Sequence, residues 1–71
     1  MRLHIDEEAD TLYLRLDESK IIESEEVAPG VILDFNEREQ VVGIEMLYLS
    51  KRTPKLDTKK FVFENLTPAA R

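Results

Sequence analysis

The chain has no cysteine, no tryptophan, one histidine and two glycines among its 71 residues. Each shortage removes a class of chemistry. Without cysteine there is no disulfide, no thiolate metal site and no thiol nucleophile. The single histidine, His4, cannot supply an imidazole ligand set. It alternates with Leu3 and Ile5, so it turns away from a core and reads as a surface group rather than a catalytic base. Two glycines, Gly30 and Gly43, cannot build a glycine-rich phosphate loop. Ser19, Ser24 and Ser50 stand in no nucleophile-elbow context. No apolar run approaches the roughly 20 residues of a membrane-spanning helix. The opening MRLHIDEEAD is charged and alternating, unlike the apolar heart of a secretory signal. The expectation is a cytoplasmic protein with no membrane partner and no cofactor.

Length sets the next limit. A chain of 71 residues makes one domain. At this size only about 60% of the unfolded surface is buried, so the core is thin. Small domains commonly add disulfides, a metal or self-association. Here self-association, or unusually good packing, is what remains.

Charge is unevenly spread. Residues 1–50 carry 4 Lys+Arg against 13 Asp+Glu, a net of −9; residues 51–71 carry 6 against 2, a net of +4. The acidic body disfavours nucleic acid and favours a basic protein partner. The basic tail reads as a segment that folds back on that body rather than one that reaches phosphates, although Tyr48, Phe61 and Phe63 stand near its lysines.

Apolar residues recur with a period of two, the mark of half-buried strands. Leu3 and Ile5 share a face, as do Leu12, Leu14 and Leu16 after the acidic turn Asp6-Glu7-Glu8-Ala9-Asp10. A polar turn, Asp17 to Lys20, precedes a third strand over Ile21 to Val27, whose acids suit an exposed edge that resists foreign pairing. Pro29-Gly30 suits a type II turn, because proline fixes φ and glycine accepts φ > 0. Val31, Leu33 and Phe35 follow on one face, and Asn36 to Glu39 makes a hairpin loop. Gln40 to Leu47 returns with apolar residues on both faces, including Val42, Ile44 and Met46, so it is the candidate central strand. Gly43 within it predicts a bulge or the close approach of another element.

Beyond Leu47 the pattern blurs. Met46 to Lys51 reads as one helical turn or a strand end, stopped at Thr53-Pro54. Phe61-Val62-Phe63 reads as a short apolar island or a sixth strand, and Leu66 to Arg71 as a frayed end. No window of 11 or more residues holds helical spacing, which excludes a bundle. The chain therefore reads as mainly β, with a small α+β variant open. It is an antiparallel meander of about five strands over residues 1–52, with a basic covering segment over 53–71 that has room for one short helix. The predicted core is Ile5, Leu12, Leu14, Leu16, Val31, Leu33, Phe35, Val42, Ile44 and Met46.

The segment Ile5 to Leu16 resembles the opening of the bacterial and archaeal family catalogued as domain of unknown function 2283. So do Glu23 to Val27, Pro29 to Asp34, Val41 to Glu45 and Ser50-Lys51-Arg52. The resemblance covers roughly residues 1–52; Thr53 to Arg71 carries no family pattern. It implies a small β-rich domain and no activity, since the family has no assigned catalytic residues. Some members resemble the smaller partner of a two-gene toxin–antitoxin pair.

Two groups of acids remain as candidate chemistry. Asp6, Glu7, Glu8 and Asp10 could hold a hard divalent cation, but the glycine and final glutamate of a calcium loop are missing, and a solvated turn explains them. Glu45 is the one acid flanked by apolar residues in the central strand, where burial marks functional carboxylates. Its plainer role is to pair with Arg15, Arg38 or Lys51 across the sheet. The chain reads first as a non-enzymatic protein-interaction domain that self-associates as a dimer. The alternatives are an antitoxin-like partner of a basic toxin, and a small enzyme or metal-binding domain using Glu45 or the Asp6–Asp10 acids.

Overall fold

The computed structural model describes residues 1–68. Five antiparallel strands, β1 (Arg2–Asp6), β2 (Thr11–Arg15), β3 (Glu23–Ala28), β4 (Val31–Phe35) and β5 (Val41–Met46), precede one turn of helix, α1 (Leu49–Arg52). This is the mainly-β architecture that the alternation predicts, with the strand over Gln40–Leu47 at its centre.

The strand order, β1-β2-β5-β4-β3, departs from the chain order of a simple meander. β2 lies beside β5, and β3 is the far edge. Strands β2 to β5 form a Greek key, three hairpin-linked strands plus one joined by a longer connection, with β1 added outside. The cause lies in residues 16–22. The Arg15 guanidinium donates to the carbonyls of Asp17 and Ser19, each at 2.5 Å. The Asp17 carboxylate accepts the Ser19 N–H at 2.7 Å. These bonds curl the segment instead of closing a hairpin. It then runs past the ends of β5 and β4, with Leu16 N–H donating to Val42 O at 2.8 Å and Ile22 N–H to Phe35 O at 2.9 Å.

Register sets the two faces, because paired residues project to the same side. The rows Leu3–Leu14–Ile44–Leu33 and Ile5–Leu12–Met46–Val31 make an apolar face. The rows His4–Tyr13–Glu45–Ile32 and Arg15–Gly43–Asp34–Ser24 make a polar one. Near Phe35 the ladder advances one residue on β4 and two on β5, so Val42 is the extra residue of a bulge.

Of the ten predicted core residues, Val42 alone is fully buried, at 0% exposure. Ile5, Leu12, Leu14, Val31, Leu33, Phe35, Ile44 and Met46 are half-buried. Leu16 lies just past β2 and is exposed. The physical reason is that the sheet has one layer where a core needs two. The molecule measures 42 × 32 × 18 Å.

Helix α1 closes one end of the sheet rather than its face. Leu49 is buried there, its N–H donating to Asp10 O at 2.9 Å. Asp10 also accepts the Ser50 N–H at 2.9 Å and the Ser50 hydroxyl at 2.7 Å. The helix stops at Arg52, where Thr53-Pro54 was expected to stop it. Phe61-Val62-Phe63 joins no ladder, so the sixth strand is absent among the described residues. The expectation of a frayed end at 66–71 lies, from residue 69 on, outside the described residues.

Candidate functional site

The two faces offer different chemistry. On the polar face, Tyr13 on β2 leans over Gly43 on β5 and donates its hydroxyl to Asp34 Oδ2 on β4 at 2.8 Å. A β-carbon on Gly43 would lie 2.5 Å from the Tyr13 hydroxyl and 2.8 Å from Asp34 Oδ2. Both features that a mid-strand glycine predicts are therefore present: the adjacent bulge at Val42 and the close approach of a side chain. Ser24 donates to the other Asp34 oxygen at 2.6 Å, and Arg15 Nη1 reaches the Tyr13 hydroxyl at 3.4 Å. Burial raises the Tyr13 phenol above its ordinary pKa; the Arg15 hydrogen bond opposes this and the Asp34 bond adds to it. Every polar group in this cluster is engaged with a neighbour, which makes the cluster a strut across four strands.

Glu45 sits on the same face, half-buried between Tyr13 and Ile32. Its expected ion pairs with Arg15, Arg38 or Lys51 do not form; among the described residues the ion pairs are Arg2–Glu18 at 3.1 Å and Lys59–Glu7 at 3.7 Å. The acids of the β1–β2 turn diverge. Asp6 accepts the Ala9 N–H at 3.0 Å, and Asp10 holds Ser50. Glu7 accepts the Thr58 hydroxyl at 2.5 Å, and this bond, then Lys59, lowers its pKa. No group of three His, Asp or Glu side chains stands in metal-binding proximity among the described residues.

The predicted turn is built as its residues require. Gly30 takes φ +73°, and its N–H donates to Glu26 Oε2 at 2.9 Å. Arg52 straps the turn to the helix by donating to the carbonyls of Leu47 (2.9 Å) and Pro29. Three residues take roles other than those the sequence suggests. Asn36, 5% exposed, organises the β4–β5 loop: its Oδ1 accepts the N–H groups of Arg38 (2.9 Å) and Gln40 (3.0 Å). Asp10 and Tyr48 take left-handed backbone conformations, φ 58° and 56°, on either side of the helix anchor. A turn-forming Asn or Asp was the available signal for two of them; a bulky Tyr at positive φ gives none.

The apolar face carries a concave feature. A groove of about 680 Å³ runs between Leu3, Ile5, Leu12 and Leu14 on the sheet and Leu56, Phe61 and Phe63 on the segment that follows α1. That segment is pinned through Thr58 and Lys59 to Glu7. It covers only the β1–β2 side, and Phe61 and Phe63 remain 67% and 71% exposed. Glu23 and Glu25 rim the face at β3, paired with Phe35 and Leu33.

A family model described as "Protein of unknown function (DUF2283)" matches residues 2–50. No curated protein and no solved structure matches the chain. The matched span holds the five strands, the Tyr13–Gly43–Asp34 strut and the Asp10–Ser50 anchor, and it ends before the covering segment. No described helix is long and apolar enough to cross a membrane.

Proposed function

The chain belongs to the protein family of unknown function DUF2283, and from its open apolar sheet face we propose that it is a non-enzymatic interaction domain that self-associates through that face. One observation carries this reading. The chain exposes 5986 Å² of surface. A folded monomer of 8.3 kDa exposes about 4,600 Å². The excess, about 1,400 Å², exceeds the roughly 800 Å² that each partner buries in a standard interface. The radius of gyration agrees: 14.3 Å against about 11 Å for a compact chain of this length.

The segment after α1 holds much of this excess, with Phe61, Val62, Phe63 and Leu66 exposed at 66–84%, and the sheet's own apolar side chains are left half-buried for want of a second layer. Two apolar sheet faces packed about 10 Å apart make a sandwich core. Two copies of this sheet supply both layers, and Leu14, Ile44 and Met46, half-buried in one copy, become interior. The polar face, with its satisfied strut, stays in water. A small-enzyme reading draws no such support, because Glu45 makes no ion pair among the described residues.

Substituting Met46→Lys puts a charge on the apolar face, at the end of the central strand β5. The expected outcome by light scattering is a dimer for the unaltered chain and a monomer for the variant. Tyr13→Phe, on the opposite face, leaves the dimer intact. Equal masses for the unaltered chain and Met46→Lys would remove the apolar face from the interface.

A further inference from the structure

The apolar face has rims of opposite charge. Along β3 it ends on Glu23 and Glu25, both exposed and both on the apolar side by register with Phe35 and Leu33. Along β1 it ends on the segment after α1, where Lys60 and Asp57 line the groove and Lys55 adjoins Leu56; residues 51–60 carry 5 Lys+Arg against 1 Asp, so the segment is basic on balance. Neither lysine has a carboxylate within ion-pair distance among the described residues. The polarity of the face is therefore acidic at β3, apolar in the middle and basic at β1.

Two apolar faces can be apposed by a two-fold axis lying between the sheets in either of two ways. An axis running across the strands sets β1 over β1 and β3 over β3. That stacks lysines on lysines and Glu23 and Glu25 on their own copies, and like charges at an interface rim are costly. An axis running along the strands sets the β1 side of each copy over the β3 side of the other. Each basic segment then meets an acidic rim, twice by symmetry.

We propose that two copies pair in this second way, with the basic covering segment of each seated over the β3 side of its partner. This rests on the face-to-face reading above and adds the orientation to it. The covering segment then belongs to the joint core. Its aromatic residues, exposed in a single copy, are closed over by the partner's sheet, and Lys55 and Lys60 reach the partner's Glu23 and Glu25. The match of charge selects one register and one rotation. The apolar surface supplies the area.

Charge exchange tests the orientation. All four positions are exposed, so the variants keep the fold, which circular dichroism checks. In sedimentation equilibrium at low salt, E23K/E25K and K55E/K60E each weaken the dimer about tenfold or more. Mixing the two variants gives a heterodimer as tight as the unaltered dimer, since both rims are then complementary, and the four substitutions in one chain restore the homodimer. As a second readout, a chain with Glu25→Cys and Lys60→Cys oxidises to a disulfide-linked dimer, because no other cysteine competes. Unchanged affinity in the two charge variants, or no rescue on mixing, overturns the orientation while leaving a dimer. An unaltered chain that stays monomeric overturns the face-to-face reading itself.

Discussion

The hydroxyl of Tyr13 and the carboxylate of Asp34 meet at 2.8 Å across the backbone of Gly43, joining β2 to β4 over the central strand. The bond exists only because position 43 has no side chain; a β-carbon there falls 2.5 Å from the phenol oxygen. Gly43→Ala is expected to destabilise the fold by about 1–3 kcal/mol, the usual range for overpacking. Tyr13→Phe alone costs about 1 kcal/mol for the lost hydrogen bond. Because Tyr13→Phe removes the atom that the new methyl strikes, the double variant loses less than the sum. Urea denaturation of the four chains measures the coupling; strict additivity would break the link between the two residues.

The same phenol fixes an alkaline response. Burial, partly offset by Arg15 and reinforced by Asp34, raises its pKa in the fold above the unfolded value. The neutral form is thus favoured by folding. Its stabilisation is complete below about pH 10 and is lost as pH rises through the raised folded value. The difference in phenolate absorbance between the unaltered chain and Tyr13→Phe is expected to titrate above pH 10. A midpoint at or below the free phenol value would contradict the buried placement.

Gly30 has a conformational reason to be glycine. Its φ of +73° strains any L side chain; a β-carbon would also lie 2.7 Å from the Arg52 guanidinium, but that is the movable end of an exposed side chain. Gly30→Val is expected to cost about 1–3 kcal/mol or more. Thermal unfolding measures it, and an unchanged melting temperature would mean that the turn does not need the left-handed conformation.

The anchoring of the covering segment is sensitive to acid. The Thr58 hydroxyl first, and Lys59 second, lower the pKa of Glu7. A carboxylate with a depressed folded value contributes stability above its ordinary titration range and loses it as pH falls through the depressed value. Limited trypsin cleavage at Lys55, Lys59 and Lys60 is therefore expected to accelerate in Glu7→Gln at neutral pH. Equal cleavage rates would show that Glu7 does not hold the segment.

Much of this fold was legible in period-two patterning. Leu3/Ile5, Leu12/Leu14, Val31/Leu33 and Ile44/Met46 each mark a strand and its apolar side, and β5 announces its central place by carrying apolar residues on both faces. The order of the strands was not legible. Asp17 to Lys20 looks like any tight turn, and only the reach of Arg15 to the carbonyls of Asp17 and Ser19 shows why the chain runs on to the far edge instead of folding back. Burial was overread for the same apolar residues. Alternation says which side Leu14 takes, but not whether a second layer lies above it. The acids of the first turn drew attention as a cluster, yet Asp6, Glu7 and Asp10 each serve a different neighbour. Those neighbours are up to 51 residues away in sequence.

Leu14 links the fold to its assembly. It is half-buried in one copy and central on the apolar face. Leu14→Ala is expected to cost about 2–4 kcal/mol, as truncations in a closed core do. Most of that loss should show as weaker dimerisation. A cost below about half a kcal/mol would place Leu14 outside any closed core.

Sedimentation equilibrium of the unaltered chain over a wide concentration range decides whether the apolar face is an interface. The expected result is a species of twice the 8.3 kDa chain mass, persisting to low concentration. A single 8.3 kDa species at every concentration would contradict it and leave the covering segment as the only lid on an open sheet.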